Sequence, residues 1–156
     1  VRVLSVGERH VVPFPGRGGV ALRNAGWQGA IIGLDLSAGM LDIAASAGAY
    51  DALVQCSLYD LPVDDRAAAA VISTGVFTHG HVTGRAFGEL ARITRATGVV
   101  CVTQRVDLEA EHRPHAQALE AAGRWHELDR SQPDGFHPTK NQVEQVLVTW
   151  QVAATS

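Results

Sequence analysis

A chain of 156 residues, 46% hydrophobic and 19% charged, is long enough to bury one core and too short for two. A formal net charge of −3 and a pI near 6.1 exclude the basic footprint that a nucleic-acid backbone demands, so no nucleic-acid partner is expected and a small or neutral one is favoured. The longest apolar runs, such as residues 67–72, fall far short of the roughly 20 residues that span a bilayer, and no membrane partner is expected either.

In chain order, Val1 to Val6 is a β-branched run ending in Gly7, which predicts a buried parallel strand already under way at the first residue. Glu8 to Gly19 carries Pro13, Pro15, Gly16, Gly18 and Gly19, and no clean strand-to-helix turn can be drawn through it. A short helix is predicted over Val20 to Ala25, stopping at Gly26. Ala30 to Asp35 reads as a second buried strand with an acid at its carboxyl end. Ser37 is placed to cap the next helix, and Gly48 to end it. Asp51 to Cys56 predicts a third strand, and Ala67 to Ser73 a fourth, whose unbroken apolar run means cover on both faces. Phe87, Leu90, Ala91 and Ile93 form a stripe within a helix expected over Gly84 to Ala96, with Gly98 as its terminator. Val99 to Thr103 is the fifth strand, and short strand–helix alternation of this kind calls for a parallel sheet with right-handed crossovers.

The last third changes character. A helix is predicted from about Pro114 to Ala122, then two strands, Trp125 to Arg130 and Val143 to Val152, joined through a turn-rich stretch. In the second of these, Val146, Val148, Trp150 and Val152 alternate with more polar positions, as a half-covered antiparallel strand requires. The whole reads as a doubly wound, Rossmann-like α/β fold whose mostly parallel seven-stranded sheet ends in an antiparallel hairpin. Cys56 and Cys101 stand in apolar surroundings with no zinc spacing and are read as buried free thiols, which suits a cytoplasmic protein. Trp27, Trp125 and Trp150 are too dispersed in sequence to suggest a stacking platform and are assigned to packing.

The run Gly33-Leu34-Asp35-Leu36-Ser37-Ala38-Gly39-Met40-Leu41 resembles the second motif of the class I S-adenosylmethionine-dependent methyltransferases. The later blocks, Ala70 to Val82 with its Phe77-Thr78-His79-Gly80-His81 run and Glu89 to Val100, resemble that family's fourth strand, helix and fifth strand. Their combination is similar to the Williams-Beuren-region methyltransferase-like branch, over roughly residues 20–152. The resemblance implies a single methyltransferase-like domain over 1–156 that lacks the family's N-terminal helical segment, and S-adenosylmethionine as its cofactor. It implies that Asp35 accepts hydrogen bonds from the ribose hydroxyls, since a carboxylate offers paired acceptor oxygens. Leu36 and Met40 could flank the adenine, although Met40 at helical spacing reads more readily as core. Where the family places an acid after the third strand this chain has Ser57, whose hydroxyl can accept one bond while the Leu58 N–H donates another. Gly7 and Ser73 complete the implied cofactor residues, and Asp60 is read as a solvated loop acid.

The first motif departs from the family: Ser5-Val6-Gly7 is followed by bulky Arg9, His10 and Phe14 where a short glycine turn is expected. Two readings follow, methyl transfer to a small-molecule or protein acceptor, and an inactive binding or regulatory module that keeps the fold. A nicotinamide oxidoreductase ranks last, because no Gly-x-Gly-x-x-Gly follows the first strand. Methyl transfer needs no obligatory base, and His79 is the candidate if a proton must be removed. No metal is expected from the pairs His79/His81 or His112/His115, each lacking a third ligand, and His137 is assigned to surface contact. A monomer is the expected state.

Overall fold

The computed structural model describes residues 2–7, 17–77, 82–133 and 144–154, with side chains from residue 18 onward. The strands are β1 (Arg2–Gly7), β2 (Ala30–Asp35), β3 (Ala52–Gln55), β4 (Ala68–Phe77), β5 (Thr94–Arg105), β6 (Trp125–Arg130) and β7 (Gln145–Val152). The helices are α1 (Arg17–Asn24), α2 (Ala38–Ser46), α3 (Phe87–Ile93) and α4 (Glu109–Ala121). All seven strands form one mixed sheet in the order β3-β2-β1-β4-β5-β7-β6. The pairs from β3 through β5 are parallel, and β7 runs antiparallel to both of its neighbours, β5 and β6.

The α1 helix begins at Arg17, three residues ahead of the predicted start, so Gly18 and Gly19 belong to its first turn. Gly19 is there for space: a Cβ on it would sit 2.6 Å from the Tyr50 ring, and its N–H donates to the Tyr50 hydroxyl at 3.0 Å. Arg23 at the other end of α1 bonds the carbonyls of Ala49, Trp27 and Gly29 and pairs with Asp51 at 2.7 Å. Asp51 in turn accepts the Ile31 N–H at 2.7 Å, and that bond, with Arg23, holds its carboxyl below the usual range. This network pins the amino ends of β2 and β3, opposite the edge where the strands finish.

Two predicted boundaries move for physical reasons. The expected helix to Ala96 stops at Ile93, where the buried Thr94 hydroxyl donates to the Leu90 carbonyl at 2.7 Å and the chain turns directly into β5. Gly98 is therefore no helix terminator. It lies inside β5 beside a register shift, where a Cβ would stand 2.7 Å from the Ala69 carbonyl oxygen. The α4 helix begins at Glu109 rather than Pro114, and Pro114 stands in its interior. A proline there forfeits one backbone bond, and burial of His112 on one side of it and Ala116 on the other keeps the helix running through.

The core gathers between the β4-β5-β7 part of the sheet and α3 and α4. Phe87 is its centre, with ring centroids 4.8 Å from Phe77, 5.4 Å from Trp150 and 5.7 Å from Trp125. Trp125 and Trp150 stack 4.7 Å apart and nearly coplanar, so two tryptophans remote in sequence do meet, diagonally across the β6–β7 pair. Trp125 Nε1 donates to the Ala116 carbonyl at 3.1 Å and ties the hairpin to α4. The alternation expected in β7 holds, with Val146, Val148, Trp150 and Val152 all buried. Cys56 and Cys101 are only half-buried, where the sequence predicts burial. Arg92 locks α3 to the approach of β4: it bonds the Leu61 and Val63 carbonyls, forks onto Glu89 and pairs with Asp65 at 2.7 Å. Arg92 holds the Glu89 carboxyl below its ordinary range.

Truncating Phe87 to Ala is expected to cost about 3–5 kcal/mol in urea denaturation, because no neighbour can fill the space among the Phe77, Trp125 and Trp150 rings. Burial pushes the His112 imidazole below its ordinary value, while the unfolded chain takes up a proton near pH 6.5. Stability is therefore expected to fall as the pH drops below about 6.5, and His112→Phe to remove that dependence in thermal melts at pH 5 to 7.

Candidate functional site

The strand order reverses between β1 and β4, because β1 leads outward to β2 and β3 on one side while β4 and β5 lie on the other. At such a switch point the connections leave the sheet in opposite directions and open a crevice outside the carboxyl ends. The register brings three predicted residues to that edge. Gly7 on β1 is paired with Asp35 on β2, and Ser73 on β4 is paired with Val6, one position below. On the far side, Asp35 is paired with Gln55, the last residue of β3.

Asp35 is 7% exposed, and its Oδ1 accepts the Ser37 N–H at 2.8 Å. That bond shows that it shapes the turn into α2, as a purely structural acid would, yet it occupies only one oxygen. Among the described residues no donor reaches Oδ2. Burial pushes the carboxyl up, and the single backbone bond pulls it back only in part. A buried carboxyl so incompletely partnered is costly for the fold to keep, and it offers a strong acceptor to a ligand hydroxyl. Ser37 caps α2 as expected, accepting the Met40 N–H at 3.4 Å.

Ser73 carries the second incomplete group: it is fully buried, and its hydroxyl has no hydrogen-bond partner among the described residues. Just beyond it β4 bends, with Gly75 at φ 73° donating its N–H to the Thr103 hydroxyl at 2.9 Å. Leu36 is 54% exposed beside Asp35, an apolar surface at the crevice mouth. Met40 is half-buried and outside the main apolar cluster, which corrects the expectation that it is a core residue. The reason is that α2 fully buries only Ala44, so its first turn contributes nothing to the core.

After β3 the chain makes a tight turn in which Ser57 and Asp60 bridge, and the Ser57 hydroxyl accepts the Tyr59 N–H at 3.2 Å. Leu58 inside that turn has its side chain fully in the core, leaving only its backbone to face a ligand. Two further residues shape this edge that the sequence reading missed. Gln55 donates to the Leu36 carbonyl at 3.0 Å, and the Tyr59 hydroxyl accepts the Thr83 N–H at 2.9 Å, with Arg85 over its ring. Neither carries a sequence signal, because each depends on two loops meeting. His79, His81, residues 8–16 and His137 lie outside the described residues. His112 is a buried core residue, and among the described residues no three metal-ligating side chains gather. No helix among them is long and apolar enough to cross a membrane.

Residues 15–102 match the family model described as a methyltransferase domain, so family-like sequence resumes ahead of Val20. The human methyltransferase-like protein 27 is 34% identical over 106 residues, an alignment covering 67% of this chain and 40% of that protein. This chain thus spans well under half the length of the curated relative it matches. Among solved structures, the [4+2]-cyclase SpnF superposes with a TM-score of 0.72 at 19% identity, covering 99% of this chain and 75% of that one. Geranyl diphosphate C-methyltransferase from Streptomyces coelicolor A3(2), solved with Mg²⁺, geranyl diphosphate and S-adenosyl-L-homocysteine, gives 0.67 at 13% identity, covering 97% and 72%. At these identities the two structures speak for an α/β Rossmann-like fold alone.

Asp35→Asn is expected to raise the thermal midpoint at pH 7, since the amide keeps the Ser37 bond and sheds the buried charge. The gain should vanish below about pH 3.8, the ordinary carboxyl value, where the acid is protonated folded and unfolded alike. Melts of both proteins across that range check it.

Proposed function

The chain belongs to the methyltransferase-domain family, and on that premise we propose that it binds S-adenosylmethionine across the carboxyl ends of β1, β2 and β4 and transfers its methyl group. The observation that carries this reading is the buried Asp35 carboxyl, one oxygen open, directly beside Gly7 at the strand-order reversal. When bound there, the cofactor supplies a methyl group activated by a sulfonium for in-line displacement.

The chain's own residues divide the work of holding it. Asp35 accepts from the vicinal ribose hydroxyls, the ligand chemistry that an unpartnered carboxylate oxygen fits best. Gly7, without a side chain, lets the ligand approach the end of β1 closely. Leu36 and Met40 form an apolar flank for a flat base, with the Ser57 hydroxyl and the Leu58 N–H at its edge. Ser73 beneath the switch point has an unused hydroxyl to offer the amino-acid part of the cofactor. The unpartnered Ser73 hydroxyl and the buried, half-partnered Asp35 carboxyl are the fit test, because each costs the apo fold free energy that a polar ligand would offset.

His79, two residues past the end of β4, is assigned as the group that takes a proton from an oxygen or nitrogen nucleophile. The acceptor is a small molecule or a protein. No feature of the described residues favours the inactive reading: Arg17 to Gly19, at the end of the stretch with the departed first motif, are helical.

Calorimetric titration with S-adenosylmethionine and its demethylated product tests the proposal. The unmodified chain is expected to bind both, and Asp35→Ala to bind at least tenfold more weakly. Absence of heat from the unmodified, folded chain at millimolar ligand would overturn the reading in favour of a fold retained without its cofactor. Unchanged affinity in Asp35→Ala would remove Asp35 from the site.

A further inference from the structure

Val82 to Gly84 enters the single helical turn Gly84–Ala86 that precedes α3, and it is held from two sides by contacts of opposite character. On the α4 side everything is buried. The ring of the buried His112 bonds the Val82 backbone, and Gly84 lies so close to α4 that a Cβ on it would stand 2.9 Å from the His112 carbonyl oxygen and 2.8 Å from the His115 ring. No side chain fits there, so close packing fixes that side.

On the other side the contacts are exposed and converge on one residue. Tyr59 is 43% exposed. Its hydroxyl accepts the Thr83 N–H at 2.9 Å and lies 3.3 Å from the Thr83 hydroxyl, and the Arg85 guanidinium stands 5.9 Å over its ring. Hydrogen bonds open to water break locally without unfolding the rest of a domain. Tyr59 is therefore a latch on a segment whose other side is permanently seated.

Tyr59 also belongs to the turn that the methyl-transfer reading sets against the cofactor base. Its N–H donates to the Ser57 hydroxyl at 3.2 Å, and the Asp60 N–H closes the same turn onto the Ser57 carbonyl at 3.2 Å. Among the described residues no acceptor takes the proton of the Ser57 hydroxyl. Giving that proton to a ring nitrogen of the base would make the oxygen a stronger acceptor and tighten its bond from Tyr59.

We propose that Tyr59 is a positioning residue for methyl transfer, which makes the hold on Val82–Gly84 depend on whether the base is bound at Ser57 and Leu58. This role presupposes the cofactor site described above, and it joins the base-side turn to the segment that enters α3. Linkage makes the effect mutual, so whatever settles Thr83 also favours the bound base.

Amide hydrogen exchange, read residue by residue by ¹⁵N NMR with and without S-adenosyl-L-homocysteine, tests the role. In the unmodified chain the ligand is expected to slow the Tyr59 and Asp60 amides of the turn, and the Thr83 amide by about tenfold or more. The Ser131 amide, bonded to the Leu147 carbonyl in the distant hairpin, is expected to stay unchanged. In Tyr59→Phe, which keeps the ring and removes the hydroxyl, the turn amides should still slow while Thr83 loses its response to ligand. A bond that only braced the fold would change Thr83 exchange alike with and without ligand. Slowing in the turn but not at Thr83 of the unmodified chain would overturn the role and leave the cofactor site standing. A Thr83 response retained in Tyr59→Phe would overturn it as well. No slowing at any of these amides, with no heat in calorimetry, would remove the cofactor site and this role together. Should Tyr59→Phe fail to fold, the contrast between Thr83 and Ser131 in the unmodified chain decides alone.

Discussion

The right-handedness of parallel crossovers is the constraint on which the rest of this molecule depends. A sheet that grows from β1 outward through β2 and β3, and then restarts at β4 on the other side of β1, must send its connecting helices to opposite faces. The two halves part at the carboxyl ends of β1 and β4, and no side chain is needed to open that crevice. Residues placed at strand ends then acquire meaning they lack elsewhere. Asp35 is an ordinary turn-forming acid by its local bonding, accepting the Ser37 N–H, and is proposed as a ligand acceptor because the register sets it beside Gly7 with one oxygen open.

Insertion of β7 between β5 and β6 is the second organising event. It makes the far end of the sheet antiparallel and brings Trp150 under Trp125, where both pack on Phe87. The same arrangement leaves Trp150 Nε1 without a partner, whereas Trp125 Nε1 reaches the Ala116 carbonyl. Packing area holds the rings in place, so one strand placement stabilises through buried aromatic surface and also leaves an indole N–H without a partner among the described residues.

The comparisons join this chain to the methyltransferase-domain family, and the same architecture carries a [4+2]-cyclase as well as a geranyl diphosphate methyltransferase. Fold therefore sets where a ligand sits and leaves open what is done to it. In this chain the fold keeps two groups at a cost, the Asp35 carboxyl and the Ser73 hydroxyl, both at the crevice.

By itself the sequence determined the order of strands and helices, the capped turn at Ser37, the alternation along β7 and the acid that ends β2, because each is written in local periodicity or adjacent chemistry. Boundaries that rest on long-range contact were not legible. The switch into β5 at Thr94 goes with burial of that residue and its bond to the Leu90 carbonyl, and the survival of α4 through Pro114 goes with burial of His112 and Ala116. Tryptophans 25 positions apart read as dispersed until the hairpin register stacked them. Met40 read as core because helical spacing alone cannot tell which residues of a short helix reach the core. The pairing of Gly7 with Asp35 joins the ends of β1 and β2, and only the tertiary structure could bring the two together, since strand register is a property of neighbours in space and not along the chain.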